Sequence, residues 1–316
     1  MAVEVDGRIV IAWLFKLFLL AEVLWLLAAA RALLKCIEPA GVIAVLIAMM
    51  VAWRLSHATV TWALAQWLRW RDGRPLDWDN QWKALGKEIA ARVVSFNWSQ
   101  PFPALAMGRD PVANGSQNPK GAGDGTPILL VHGFFSSKGM WIRFRQRLVK
   151  AGMGPVYTMN LKHVFGHVKD MVPSLHDRIE AIARDTGKDK VILIAHSMGG
   201  LVSRQYLQDH GGGRVAQLIT LGSPHHGTRI AKIALFTCTK DMRRRSGFLD
   251  ALAEKETANP PSVPTTSIYT MNDDLVYPPE TSVLPWAENI SVRGVGHVSL
   301  LFDEGVLEAV RKLLRG

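Results

Sequence analysis

The run Val191-Ile192-Leu193-Ile194-Ala195-His196-Ser197-Met198-Gly199-Gly200 limits the folds open to this chain more than any other stretch of it. Its first four residues are β-branched or apolar and read as a buried strand, whereas Leu201-Val202-Ser203-Arg204-Gln205-Tyr206-Leu207 reads as a helix. The backbone must therefore pass from strand to helix within one tight turn centred on Ser197. Such a turn strains the residue at its apex and admits only small side chains two places to either side. Ala195 and Gly199 occupy those places, where the commoner pattern has glycine at both.

The surrounding sequence has the periodicity this turn needs. From Pro127 onward, apolar runs at 128–131, 156–159, 191–195, 215–221, 266–269 and 290–292 read as strands. Helical patterns at 139–151, 172–186, 198–210 and 305–314 lie between or after them. This alternation predicts an α/β fold: a mostly parallel sheet of about six strands with helices on both faces. In such sheets the ligand site lies beyond the carboxyl ends of the strands, where Ser197 falls.

A serine hydroxyl is a poor nucleophile at neutral pH and needs a base, which in turn needs a carboxylate to hold its tautomer. His297, in Gly294-Val295-Gly296-His297 after the last predicted strand, is the candidate base. His196 adjoins the serine, but from a tight turn it points elsewhere and reads as support. Asp273 and Asp274 both follow a predicted strand; one is expected to meet the imidazole and the other to cap the turn. Spacing alone does not choose between them. An oxyanion formed on attack requires two backbone N–H donors. Met198, after the serine, and Phe134, in His132-Gly133-Phe134-Phe135 after the first core strand, are the expected donors.

Before residue 71 the chain is of another kind. Ile9–Ala30 is apolar apart from Lys16 and Glu22, and is long enough to span a bilayer, which takes about 20 residues. Pro39-Ala40-Gly41 interrupts it, Val42–Trp53 is apolar throughout, and helical character continues over 58–70. A membrane hairpin is preferred to a cleavable signal peptide, because Met1–Gly7 is acidic rather than basic and a second apolar segment follows at once. Arg54, Arg69, Arg71 and Arg74 outnumber Arg31 and Lys35 of the turn, which places both termini on the cytoplasmic side. Six tryptophans fall between 53 and 82; Trp78 and Trp82 suit either the head-group layer or helix-to-domain packing. Gln81–Val94 reads as an amphipathic helix, and Asn114–Gly125 as a flexible linker. The expected organisation is a two-helix anchor at 1–70, an amphipathic helix and linker at 71–125, and an α/β domain at 126–316.

Composition closes off other classes. The net charge of +10 is scattered, with no basic–aromatic repeat, which argues against nucleic acid. Cys36 and Cys238 are the only cysteines and give no disulfide framework. His163 and His167 have ligand spacing only on a helix, which Phe165-Gly166 disfavours, so no metal is expected, and no cofactor.

These residues together resemble the α/β-hydrolase superfamily, and within it bacterial triacylglycerol lipases and esterases with an Ala-His-Ser-x-Gly turn. The likeness runs from Thr126 to the C-terminus through Leu130–Phe134, Ala195–Gly200, Thr220–Thr228, Ile268–Val276 and Gly294–Leu301. It implies an α/β-hydrolase fold behind a helical membrane hairpin, with Ser197, Asp273 and His297 as the triad and a lipid-like ester as substrate. Within the resemblance, Ile268–Val276 selects Asp273 as the acid, and His225 and His226 become structural or substrate-lining. Phe135, Leu235 and Phe236 are further candidates to line the substrate, the latter two within a long mixed segment at 228–264 that reads equally as lid or core. Membrane-anchored proteobacterial hydrolases have the same layout, implying an inner-membrane protein with its catalytic domain on the cytoplasmic side. An acyltransferase would share every one of these residues, and a non-catalytic membrane scaffold with a hydrolase-like domain is the alternative from a different class.

Overall fold

The computed structural model describes residues 7–107, 125–233 and 235–315. Of the expected linker at 114–125, only Gly125 falls among them. Three long helices come first: α1 (Gly7–Leu33), α2 (Pro39–Arg71) and α3 (Trp78–Val94), with the short α4 (Pro103–Met107) after them. The α/β part follows as β1 (Ile128–Val131), α5 (Ile142–Lys150), β2 (Val156–Thr158), α6 (Val172–Thr186), β3 (Val191–His196), α7 (Met198–His210) and β4 (Val215–Leu221). Two helices, α8 (Thr237–Asp241) and α9 (Gly247–Ala258), precede β5 (Thr265–Thr270), β6 (Glu288–Val292) and α10 (Glu304–Arg315). The strands form one six-stranded sheet in the order β2-β1-β3-β4-β5-β6, and every neighbouring pair is parallel.

Strand side chains alternate between the two faces, and both faces are covered. Ile128, Leu130, Ile194, Ile219 and Ile268 pack with Phe144 and Leu148 of α5 and Val306, Leu307 and Val310 of α10. Leu129, Val131, Leu193, Ala195 and Leu218 pack with Leu175, Ile179 and Ile182 of α6 and Leu201 and Val202 of α7. This second cluster also takes in Ile11 and Phe15 of α1, so the first apolar helix begins inside the sheet's own core. Cys238 is buried on α8 with its thiol donating to the Val164 carbonyl.

Among the described residues, two segments are long and apolar enough to cross a membrane, Ile11–Leu33 in α1 with mean hydropathy 2.1 and Pro39–Arg71, which is α2, with 1.8. The apolar run at 42–53 and the helical segment after it form one continuous helix. Where α1 and α2 run side by side, Arg54 grips the Glu22 carboxylate with both terminal nitrogens, at 2.6 and 2.7 Å, and so neutralises the one acidic side chain of the first helix. Trp78 and Trp82 pack around Trp62, with ring centroids 6.4 and 4.8 Å away, so these two tryptophans join α3 to α2.

A fully buried fork joins α7 to α9. Arg204 on α7 donates to both Glu256 oxygens on α9, at 2.7 and 2.5 Å, and through its third nitrogen to the His225 carbonyl at 3.0 Å. Removing one partner of such a pair leaves an uncompensated buried charge, at a cost of roughly 3–5 kcal/mol, whereas replacing both by apolar residues is far cheaper. Glu256→Ala is therefore expected to lower the unfolding free energy by about that amount. The double variant Arg204→Met/Glu256→Leu should recover much of the loss, as chemical denaturation would measure.

Candidate active site

Ser197 stands between β3 and α7 with φ 55° and ψ −125°, a conformation that side-chain-bearing residues rarely adopt. It persists because its surroundings leave no alternative. Its N–H donates to the Leu221 carbonyl of the adjacent strand at 2.9 Å. A Cβ on Gly199 would lie 2.7 Å from the Val131 and His132 carbonyl oxygens, and one on Gly133 would lie 2.8 Å from the Ser197 Cβ. Only glycine at both positions lets the loop after β1 close onto the serine. His132 fixes that loop: its Nδ1–H donates to the Gly133 carbonyl at 2.9 Å, and its Nε2 accepts the Leu161 N–H at 3.0 Å. Burial pushes His132 down to about 4, so the ring is neutral and keeps this tautomer.

The loops after β5 and β6 bring an acid to a base. His297 Nδ1 lies 2.9 Å from Asp273 Oδ2, with both side chains buried. The other Asp273 oxygen accepts the Leu275 and Val276 N–H groups at 2.8 and 2.7 Å. Asp273 thus caps its own turn, the task expected of its neighbour. Asp274 faces the opposite way and accepts from Arg92 Nη2 and Thr61 Oγ1, each at 2.5 Å, and from the His297 N–H at 3.3 Å. Burial opposes a charge on His297, but Asp273 beside it, with Asp274 and Glu88 behind, outweighs that and holds the imidazole above its usual 6.5. His196 ties the serine turn to this loop: its Nε2–H donates to the His297 carbonyl at 3.0 Å, and the two ring centroids are 4.6 Å apart. Burial, and then the neighbouring His297, keep His196 well below the ordinary histidine range, so it stays a neutral strut.

Around the serine the chain is aromatic. Phe134 and Phe135 follow Gly133; the Phe135 ring centroid lies 5.4 Å from that of Phe15 on α1 and 6.3 Å from that of Phe165. Phe236 stacks on Phe165 at 4.7 Å and reaches Phe134 at 5.6 Å. The Phe134 amide lies in this loop, and the Met198 amide opens α7, where helix geometry leaves the first N–H groups without intrahelical acceptors. The other candidates differ in their surroundings. His225 is fully enclosed between Thr220 Oγ1 and Arg204, His226 is exposed, and Leu235 is 88% exposed. His163 sits in a turn and His167 pairs with Asp241 at 3.1 Å, so the two share no helix face.

Four side chains absent from the sequence expectations close the arrangement. Besides Thr61 and Arg92, Arg69 donates to the Met271 carbonyl at 2.5 Å, and Glu88 accepts the Val298 and Ser299 N–H groups at 3.1 and 2.9 Å. A signal for two of them exists: Glu88 and Arg92 fall on the same helical stripe as Ala84, Leu85 and Ala91, which is the buried one.

Comparison with known proteins agrees with this architecture. Residues 126–244 match the family model described as alpha/beta hydrolase fold. A triacylglycerol lipase of Burkholderia plantarii is 30% identical over 166 residues, 47% of this chain and 44% of the relative. One of Pseudarthrobacter phenanthrenivorans is 34% identical over 116 residues, 33% of this chain and 35% of the relative. The chain thus spans less than half the length of the curated relatives it matches. Among solved structures, the Bacillus licheniformis lipase BlEst2 in mature form superposes with TM-score 0.56 at 20% identity, covering 63% of this chain and 96% of that one. Aspergillus fumigatus lipase B does so with TM-score 0.56 at 19% identity, over 63% and 56%. The protein has the α/β-hydrolase fold. Over the matched part, its sequence is similar to triacylglycerol lipases.

A base must be neutral to take a proton, so any reaction that uses His297 as base slows as pH falls through its raised pKa. The acid limb of the pH–rate profile is expected above pH 6.5. For such a reaction Asp273→Asn should move that limb downward and cut kcat by about 10⁴-fold, the loss that the wrong tautomer causes in a Ser-His-Asp triad. Rates measured from pH 5 to 9 on both proteins would test this.

Proposed function

We propose that the protein is a membrane-anchored serine hydrolase that cleaves carboxylic esters carrying lipid-like acyl groups. The observation that carries this reading is the buried Asp273–His297 hydrogen bond on the loops after β5 and β6, tied through His196 to the turn that holds Ser197 at φ 55°. In the proposed reaction Ser197 Oγ attacks the ester carbonyl and its proton passes to His297 Nε2. Asp273 holds the Nδ1–H and stabilises the imidazolium. The Phe134 and Met198 N–H groups stabilise the oxyanion. The alcohol departs with the proton from His297, leaving an acyl-serine. Water then attacks the acyl-serine, giving its proton to His297, and the carboxylic acid leaves as Ser197 recovers its own. Two features favour an apolar acyl group: the phenylalanine band beside the serine, and the continuity of that band with Phe15 of an apolar helix. Insertion of α1 and α2 in a bilayer would hold this band close to acyl lipids, and the arginine distribution favours a cytoplasmic active site.

The test is hydrolysis of p-nitrophenyl esters from acetyl to palmitoyl by detergent-solubilised protein. Turnover should rise with acyl length, and Ser197→Ala should reduce it by on the order of 10⁶-fold. A preference for acetyl esters would overturn the lipid assignment, and turnover that survives Ser197→Ala would overturn the mechanism.

A further inference from the structure

Burying an ion costs several kcal/mol unless it is paired and hydrogen-bonded, so the buried charges of α3 need a reason. Arg92 lies between two carboxylates: its Nε donates to Glu88 Oε1 at 2.7 Å and its Nη2 to Asp274 Oδ2 at 2.5 Å. Thr61 of α2 joins the same group, accepting from Arg92 Nη1 at 3.1 Å and donating to Asp274 at 2.5 Å. All of it converges on one short piece of backbone. Asp274 accepts the N–H of His297, and Glu88 accepts those of Val298 and Ser299. Three consecutive amides, beginning at the imidazole-bearing residue, are thus held by two carboxylates that one guanidinium cross-links. Gly296 completes the fit, since a Cβ there would lie 2.6 Å from Glu88 Oε2.

We propose that Glu88, Arg92 and Thr61, acting through Asp274 and the 297–299 backbone, are positioning residues for His297, which makes α3 and the second apolar helix part of the active site. A simple helix-docking contact needs no such convergence; apolar packing like that of Leu68 on Ile230 and Tyr277 suffices. Here the hydrogen bonds end on the main chain that sets where the ring sits, and a base displaced by 1 Å can cost about 10²-fold in rate. The inference rests on the serine-hydrolase reading.

The charged and titratable groups around His297 are Asp273 and Asp274 from the loop after β5, Glu88 and Arg92 from α3, His196 from β3, and Arg69 from α2. Removing the Glu88 charge takes away a negative group that favours the imidazolium, so the acid limb should move to lower pH. The experiment uses full-length protein in detergent with p-nitrophenyl acetate. Glu88→Gln and Arg92→Lys are expected to lower kcat by about 10- to 100-fold while KM stays within about twofold, the signature of a lost transition-state geometry. Glu88→Gln should also show the displaced acid limb. Should either variant fail to fold, the pair Thr61→Val and Thr61→Ser carries the test, with a lowered kcat in the first and a near-parental kcat in the second supporting the proposal. Variants that fold yet keep the parental kcat and pH profile overturn it, whatever their melting temperature. A parent protein without Ser197-dependent turnover would instead sink the hydrolase reading, and the positioning roles with it; that result is distinct from a working parent matched by its variants.

Discussion

The strained backbone of Ser197 is the constraint on which the rest of the arrangement turns. A residue held at φ 55° and ψ −125° costs on the order of 1–3 kcal/mol and must be forced there by what surrounds it. The forcing elements are long-range: β3 hydrogen-bonded between β1 and β4, the Leu221 carbonyl that receives the serine N–H, and the carbonyls of Val131 and His132 pressed against Gly199. The sheet thus serves less to cover apolar surface than to hold one hydroxyl at a fixed place beyond the carboxyl end of its central strand.

That geometry was legible in the sequence to an unusual depth, because each requirement is local. A buried strand reads as a short apolar run, a tight turn as small residues, and a helix as a 3.6-residue period, and the observed β1, β4, α6 and α7 match the ranges read from residues alone. Ser197, Asp273 and His297 each sit at the end of such a run. The division of labour between Asp273 and Asp274 was not legible. Both follow β5, and only the direction the turn gives each carboxylate sends one to His297 and the other to Arg92. Periodicity places Glu88 and Arg92 on the buried stripe of α3 but could not reveal what they meet there, the Val298 and Ser299 amides for Glu88 and the Asp274 carboxylate for Arg92.

The N-terminal helices are bound into the fold by two kinds of contact. Apolar contact carries α1 into the core, where Ile11 and Phe15 join the cluster under α6 and α7. Polar contact carries α2 and α3 onto the loops after β5 and β6, through Thr61, Arg69, Glu88 and Arg92. At the end of α2, Asp72 accepts from Arg229 at 2.5 Å and from the Tyr277 hydroxyl at 3.0 Å, so the last turn is fastened to the same region. Fastened in this way, α2 and α3 cannot shift relative to His297 without breaking buried hydrogen bonds.

The contacts made by Arg92 and Glu88 also impose an order of assembly. Arg92 meets Asp274 across 182 residues and Glu88 meets Ser299 across 211, so helices made first must wait for loops made nearly last. Chains grow at about 5–20 residues per second, which leaves the stripe of α3 without its partners for roughly 10–40 s. Burying an ion without its partners costs several kcal/mol, so through that interval the charges of Glu88 and Arg92 oppose burial of the stripe against a wrong apolar partner. A chain that stops short of Val298 would hold Asp274 for Arg92 but leave the Glu88 carboxylate of α3 without the amides that donate to it.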